Sequence, residues 1–286
     1  MLAACARLDD NLYDPKTKIS AYQFDEYTGK VDFHLDSSYD IAPENRTLIS
    51  LESDDNGDKA TTYAVYIGDI SRISTDTVIV YCHGNRHHMD SYWPRAKLLA
   101  HVNGKHGVGV MMMEFRGFGL ATGKPSESGM LADVDAALLW LRDNGLTDER
   151  LILYGFSLGT APATRSAARP RVLNPAKLIL ESPFASSDVM LQDATQLAIP
   201  GSYVTNLKID NARLIKEVQQ PFLWLHGKKD DFLSIDTHGE VVFRNYGGLD
   251  TDRTALRIAG AGHSDIQVIM GFDVYLRAVE NFINPP

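Results

Sequence analysis

The sequence predicts an α/β protein built on a doubly wound, mostly parallel central sheet flanked by helices. Three observations carry this. Short apolar runs recur from about residue 47 onward, and the central ones are continuous, as strands buried on both faces require. Segments with helical spacing separate them, giving β-α-β-α-β-α-β from residue 76 and implying right-handed crossovers. At 286 residues and 44% hydrophobic, the chain has material for one large core, which excludes disorder as a whole-chain state.

Residues 1–45 are polar and irregular and read as an N-terminal extension wrapping the surface of a domain spanning 46–286. Residues 47–51 and 63–67 read as two strands. The acidic stretch Asp54-Asp55-Asn56-Gly57-Asp58 between them lacks the order of an EF-hand loop and suits a hairpin turn at Asn56-Gly57. The buried strands follow at 78–81, 108–113, 151–153, 178–180 and 222–225, so Met111, Met112 and Met113 are core. Leu131, Val134, Leu138 and Leu141 share one helical face, and Asn144-Gly145 ends that helix. The connection 185–218 is too long for a simple crossover and has room for a small helical cap insertion. Its Met190, Leu191, Leu197, Ile199, Tyr203 and Val204 either line an acyl pocket or pack a cap helix. Neither repeats nor low-complexity segments are present.

Lys+Arg 28 against Asp+Glu 37 gives a net charge of −9, which argues against binding nucleic acid. Cys5 and Cys82 are the only cysteines, too few for a disulfide framework or a four-cysteine zinc site. No apolar run approaches the ~18 residues of a membrane span. The chain as written is therefore expected in the cytoplasm. Leu2-Ala3-Ala4-Cys5 nonetheless resembles a bacterial lipobox. A leader upstream of Met1 would make Cys5 a lipid anchor, the extension a tether and the protein a cell-envelope lipoprotein.

Chemistry concentrates in Gly155-Phe156-Ser157-Leu158-Gly159. This G-x-S-x-G follows an apolar strand and precedes a small-residue helix, the strand-turn-helix setting of a nucleophile elbow. A serine hydroxyl needs a base. His263, in Gly260-Ala261-Gly262-His263, follows a strand at 254–258 and precedes a terminal helix, the place a base takes in the chain order Ser, acid, His. The acid comes from His226-Gly227-Lys228-Lys229-Asp230-Asp231. Asp230 is preferred and Asp231 is the alternative, while Asp236 and Asp265 read as solvated surface residues. An oxyanion hole is expected from the backbone N–H groups of Leu158, which follows the nucleophile, and Asn85, in the His83-Gly84-Asn85 loop. His83, His87, His88 and Asp90 could be imagined as metal ligands, but they read as an exposed polar loop. With no Walker A motif and no third glycine after Gly117-Phe118-Gly119, neither a cofactor nor a metal is expected.

These pieces together resemble the α/β-hydrolase superfamily of serine hydrolases, and within it the Bem46-like hydrolases and dipeptidyl-peptidase-like esterases, over about residues 47–284. His83-Gly84-Asn85 resembles the family's oxyanion loop. Glu114-Phe115-Arg116-Gly117-Phe118-Gly119 is similar to its D-Y-R-G-x-G segment, with Glu for Asp. Asp135-Ala136 and Trp140-Leu141 resemble the helix that follows, and Glu181-Ser182-Pro183-Phe184 an E-S-P-F strand end. Ser157, Asp230 and His263 fall on the triad positions. Gly159-Thr160-Ala161-Pro162 departs from the pattern, since relatives often carry a second glycine there; proline in a first helical turn is tolerated. The resemblance implies a carboxylesterase-like enzyme acting on a small-molecule ester or thioester through an acyl-enzyme. The alternatives are a dipeptidyl-peptidase-like peptidase, for which the large substrate-selecting domain is missing, or a non-catalytic binding protein of the same fold.

Overall fold

A computed structural model describes residues 13–15, 18–195 and 207–285; Cys5, Leu197, Ile199, Tyr203 and Val204 lie outside them. Strands β1 (Arg46–Asp55) and β2 (Asp58–Ile67) form the expected antiparallel hairpin. Asn56 and Gly57 turn it with φ of 53° and 98°, the left-handed pair a tight two-residue turn demands. Asp54 Oδ1 accepts from Gly57 N–H at 2.6 Å, so this acidic stretch closes the turn itself.

Six further strands complete the sheet: β3 (Val78–Cys82), β4 (Gly109–Glu114), β5 (Leu151–Phe156), β6 (Lys177–Glu181), β7 (Phe222–Gly227) and β8 (Arg253–Ile258). Their order is β1-β2-β4-β3-β5-β6-β7-β8. β2 runs antiparallel to β4, and all pairings from β4 to β8 are parallel. The helices are α1 (Met89–Leu99), α2 (Glu127–Asp143), α3 (Thr160–Ala168), α4 (Ser187–Thr195), α5 (Asn211–Leu214), α6 (Gly239–Arg244), α7 (Ile266–Met270) and α8 (Phe272–Ile283). Alternate residues of β3 divide the core in two. Val78, Val80 and Cys82 join the cluster under α2 and α3, while Ile79 and Tyr81 join that under α1 and α8. Among the described residues no helix is long and apolar enough to cross a membrane.

The described part of the extension is irregular, with short 3-10 turns, but its inner face is aromatic rather than polar. Phe24 lies 4.8 Å from the Trp93 ring, and Phe33 and Ile41 are buried in the α1 cluster. Asp25 accepts from Trp93 Nε1 and Lys97 Nζ, both at 2.8 Å. The segment is thus a strap clamped across α1. In the connection 185–218, Met190 and Leu191 are buried in the α2–α3 cluster, so these two pack the core.

The chain leaves β3 toward β4 on one side, and β5 pairs on the other, with Cys82 opposite Gly155. Loops leaving β3 and β5 therefore part at the sheet's C-terminal edge, where doubly wound folds open a crevice.

Candidate active site

Ser157 sits in that crevice, at the end of β5 and the start of a 3-10 turn (Ser157–Gly159) leading into α3. Its φ is 50°, a left-handed conformation that a serine holds only when its surroundings impose it. The flanking glycines show how: a Cβ at Gly159 would lie 2.0 Å from Cys82 O, and one at Gly155 2.6 Å from Gly159 O. Only hydrogen fits at either position, and the tight crossing lifts Ser157 above the sheet.

Ser157, His263 and Asp230 come together. Ser157 Oγ and His263 Nε2 are 2.9 Å apart, and His263 Nδ1 is 2.7 Å from Asp230 Oδ2. Asp231 is exposed, which separates the two adjacent carboxylates. Asp230 Oδ1 accepts from the N–H groups of Phe232 (3.0 Å) and Leu233 (2.7 Å). His226 Nε2 approaches Asp230 Oδ2 at 3.1 Å and Leu233 O at 2.9 Å. Trp224 Nε1 donates to His226 Nδ1 at 3.3 Å, so Nε2 carries the hydrogen and donates. Burial alone would raise the Asp230 pKa. The hydrogen bonds from His226 and His263 outweigh it and hold the carboxyl well below the usual range. An ionised, immobile carboxylate behind an imidazole fixes its tautomer, and the imidazole can then take a proton from the hydroxyl in front of it.

The His263 loop has its own supports. Asp265 Oδ1 accepts from Gly262 N–H at 2.6 Å, so this half-buried residue closes the loop and is not merely solvated. Ser182 Oγ donates to His263 O at 3.2 Å. Arg95 is the hub beneath. It donates to Ser264 O (2.9 Å), Glu181 Oε1 (2.8 Å) and Asp32 Oδ2 (2.7 Å), and its guanidinium lies 3.9 Å from the Phe156 ring centroid. Glu181 Oε2 also accepts from Tyr154 (2.5 Å) and Gln267 (2.9 Å).

The His83-Gly84-Asn85 loop faces Ser157 from the other side. A Cβ at Gly84 would lie 3.0 Å from the Phe156 ring, so the glycine permits the approach. Asn85 lines the cleft with Ser157. Its Oδ1 accepts from Asp14 N–H at 2.9 Å, and its carbonyl accepts from Tyr92 Oη at 2.7 Å. Leu158 has a buried side chain; its N–H follows Ser157 in the turn, where first-turn N–H groups lack intrahelical acceptors.

The expectation of an exposed polar loop at 83–90 does not hold. His83, His88 and Asp90 are fully or almost fully buried, His87 is half-buried and Arg86 alone is exposed. The reason is tertiary. His83 stacks on Tyr92 at 4.9 Å and bridges Gly84 O (2.7 Å) and Glu114 Oε1 (2.9 Å). Glu114 Oε2 accepts from Met89 N–H and Tyr22 Oη, both at 3.0 Å. Asp90 Oδ1 accepts from the Gln23 and Phe24 N–H groups. The strap covers the loop. Among the described residues, no three His, Cys, Asp or Glu side chains are gathered as a metal ion would need.

The profile of the serine aminopeptidase family S33 matches residues 73–220, just over half of the chain. The chain belongs to this family of α/β-hydrolases. It is thus a member of the serine hydrolase superfamily, Bem46-like in its motifs. Alpha/beta hydrolase domain-containing protein 17B of Xenopus laevis is 30% identical over 177 residues, 61% of this chain and 56% of that protein. The related protein aho-3 of Caenorhabditis elegans is 31% identical over 178 residues, 61% of this chain and 48% of its own. The chain spans about half the length of the curated relatives it matches. An esterase from Pyrococcus furiosus superposes with a TM-score of 0.65 over 85% of this chain and 95% of that one, at 18% identity. At that identity the likeness shows the shared fold.

Proposed function

We propose that this family member hydrolyses ester or thioester bonds through an acyl-enzyme. The observation that supports it is the continuous hydrogen-bonded line Ser157–His263–Asp230 at the mouth of a cleft. Ser157 Oγ attacks the carbonyl carbon while His263 Nε2 takes the hydroxyl proton. The N–H groups of Asn85 and Leu158 receive the developing oxyanion. His263 returns the proton to the leaving group, then deprotonates the water that attacks the acyl-enzyme. Asp230 holds the tautomer and the transient imidazolium charge throughout.

The test is labelling with a fluorophosphonate alongside p-nitrophenyl esters of rising acyl length. Ser157→Ala is expected to abolish labelling and to lower kcat by at least about a thousandfold with the fold intact. A folded wild type that neither labels nor turns over would sink the proposal and leave a binding protein of the same fold. Because the family's description names an aminopeptidase, aminoacyl p-nitroanilides belong in the panel; the esters are expected to be the better substrates.

A further inference from the structure

The cleft in front of Ser157, about 320 Å³, is not the apolar slot that a simple acyl chain would need. Phe156 and Phe232 supply apolar surface on either side of His263. The rest of the described lining is largely polar, with Lys30 and Arg86 against the single carboxylate of Asp32. Lys30 of the strap and Arg86 of the oxyanion loop both face the cleft, with His87 beside them. Lys30 is exposed, and the Arg86 side chain is 67% exposed even though its Nε forms a long ion pair with Asp14 Oδ2 at 3.5 Å. The acid among the described lining residues, Asp32, accepts from Arg95 at 2.7 Å, an arginine it shares with Glu181 at 2.8 Å. Two cations thus face the cleft of a chain whose net charge is −9. The His87 pKa is lowered, first by burial and then by Lys30, with His88 and Arg86 acting in the same direction and Asp32 opposing them. Arg86 and His87 hold left-handed φ angles of 74° and 60°, which non-glycine residues rarely adopt. The loop keeps this conformation next to the candidate oxyanion donor, as functional sites often do.

We infer that the cleft selects substrates carrying an anionic group, a carboxylate or phosphate set a few atoms from the scissile carbonyl, with Lys30 and Arg86 as its specificity-determining residues. The inference rests on the reading of Ser157 as the nucleophile. It disfavours substrates with a free amino group near the scissile bond, because that ammonium would meet like charges.

Paired esters test it. The p-nitrophenyl monoester of glutarate is compared with its methyl-capped neutral counterpart, which places the anion on the acyl side. The butyrate ester of 5-hydroxy-2-nitrobenzoate is compared with that of its methyl ester, which places it on the leaving side. In one of the two pairs the anionic member is expected to have a kcat/KM about tenfold higher at low salt, with the ratio shrinking at high salt. The ratio should fall to parity in the Lys30→Gln, Arg86→Gln double variant and drop below one in Lys30→Glu. Circular dichroism checks that each variant is folded, and Lys30→Glu alters only an exposed side chain. Ratios at or below one in both wild-type pairs, with Ser157 still labelled by the fluorophosphonate, would overturn the inference and leave the hydrolase reading standing. A wild type that does not label would overturn both.

Discussion

The two loops that flank Ser157 are held by opposite strategies. On the acid side, Asp230 takes its hydrogen bonds from Phe232 and Leu233, two and three residues away, and from His226, four residues away. The carboxylate is thus held mainly by its own loop, whose backbone is tied in turn to the His263 side through Lys228 N–H to Ile258 O (2.9 Å) and Lys229 N–H to Ala261 O (2.8 Å). On the oxyanion side, His83 leans on Glu114, 31 residues distant, Glu114 takes a hydrogen bond from Tyr22 across 92 residues, and Asn85 from Asp14 across 71. This loop has its shape only because the sheet and the strap hold it. Substitutions on the acid side should therefore cost chemistry and leave shape, whereas those on the oxyanion side should cost shape and chemistry together.

The largest effect that sharpens this contrast is at Asp230. Asp230→Asn keeps the size of the side chain but favours the wrong His263 tautomer, so kcat is expected to fall by about 10³–10⁴ with KM little changed and the far-ultraviolet spectrum native. A loss of less than tenfold would break the claim that this carboxylate orients the base. The same variant carries a pH signature. Because the folded pKa of Asp230 is lowered, its stabilisation is present above the unfolded carboxyl value of about 3.9 and is lost as pH falls below it. Wild type should therefore lose more of its urea midpoint than Asp230→Asn between about pH 5 and pH 3.

Next in size is Glu114, the pivot of the other loop. Glu114→Ala leaves His83 Nε2, Met89 N–H and Tyr22 Oη without their partner in a buried site. We expect a fall in kcat of about a hundredfold and a stability loss of about 2–3 kcal/mol by urea titration. Glu114→Gln should recover most of both, because its carbonyl can accept from Met89 and Tyr22 while its amide donates to a neutral His83. If Gln behaved like Ala, the carboxylate charge and not its geometry would be what the loop needs.

The same contrast explains what the sequence made legible. The strand runs, the hairpin at Asn56-Gly57 and the elbow around Ser157 are written in residues a few positions apart, and periodicity or a short motif exposes them. Asp230 was separable from Asp231 only in three dimensions, since a one-residue register decides which carboxylate turns toward His263. The burial of His83, His88 and Asp90 was not visible, because their cover comes largely from distant parts of the chain: Tyr92, Phe115 and Phe118 around His83, Tyr27 of the strap against His88, and the Gln23 and Phe24 backbone over Asp90. The strap's signal was apolar and aromatic residues, among them Tyr22, Phe24, Tyr27, Phe33, Tyr39 and Ile41, recurring between polar ones. Arg95 and Glu181 were hidden for a related reason: a charged residue in a buried helix or at a strand end declares that it has a partner, not which one.

The smallest effect probes the strap alone, at Tyr22. Its hydroxyl donates to Glu114 Oε2 at 3.0 Å and accepts from Leu120 N–H at 3.3 Å, and its ring packs against Phe24 and Tyr63. Tyr22→Phe keeps the ring and removes only the hydroxyl. Glu114 retains the Met89 N–H and His83, so the loop should loosen without collapsing. The cost should be about 1 kcal/mol in stability, the net worth of an ordinary hydrogen bond, and a few-fold in kcat. The two readouts separate the roles. If the strap only covers the loop, stability falls and kcat does not move. If it helps to hold the oxyanion donors, kcat falls for every ester in the series by the same factor, independent of acyl length and of substrate charge.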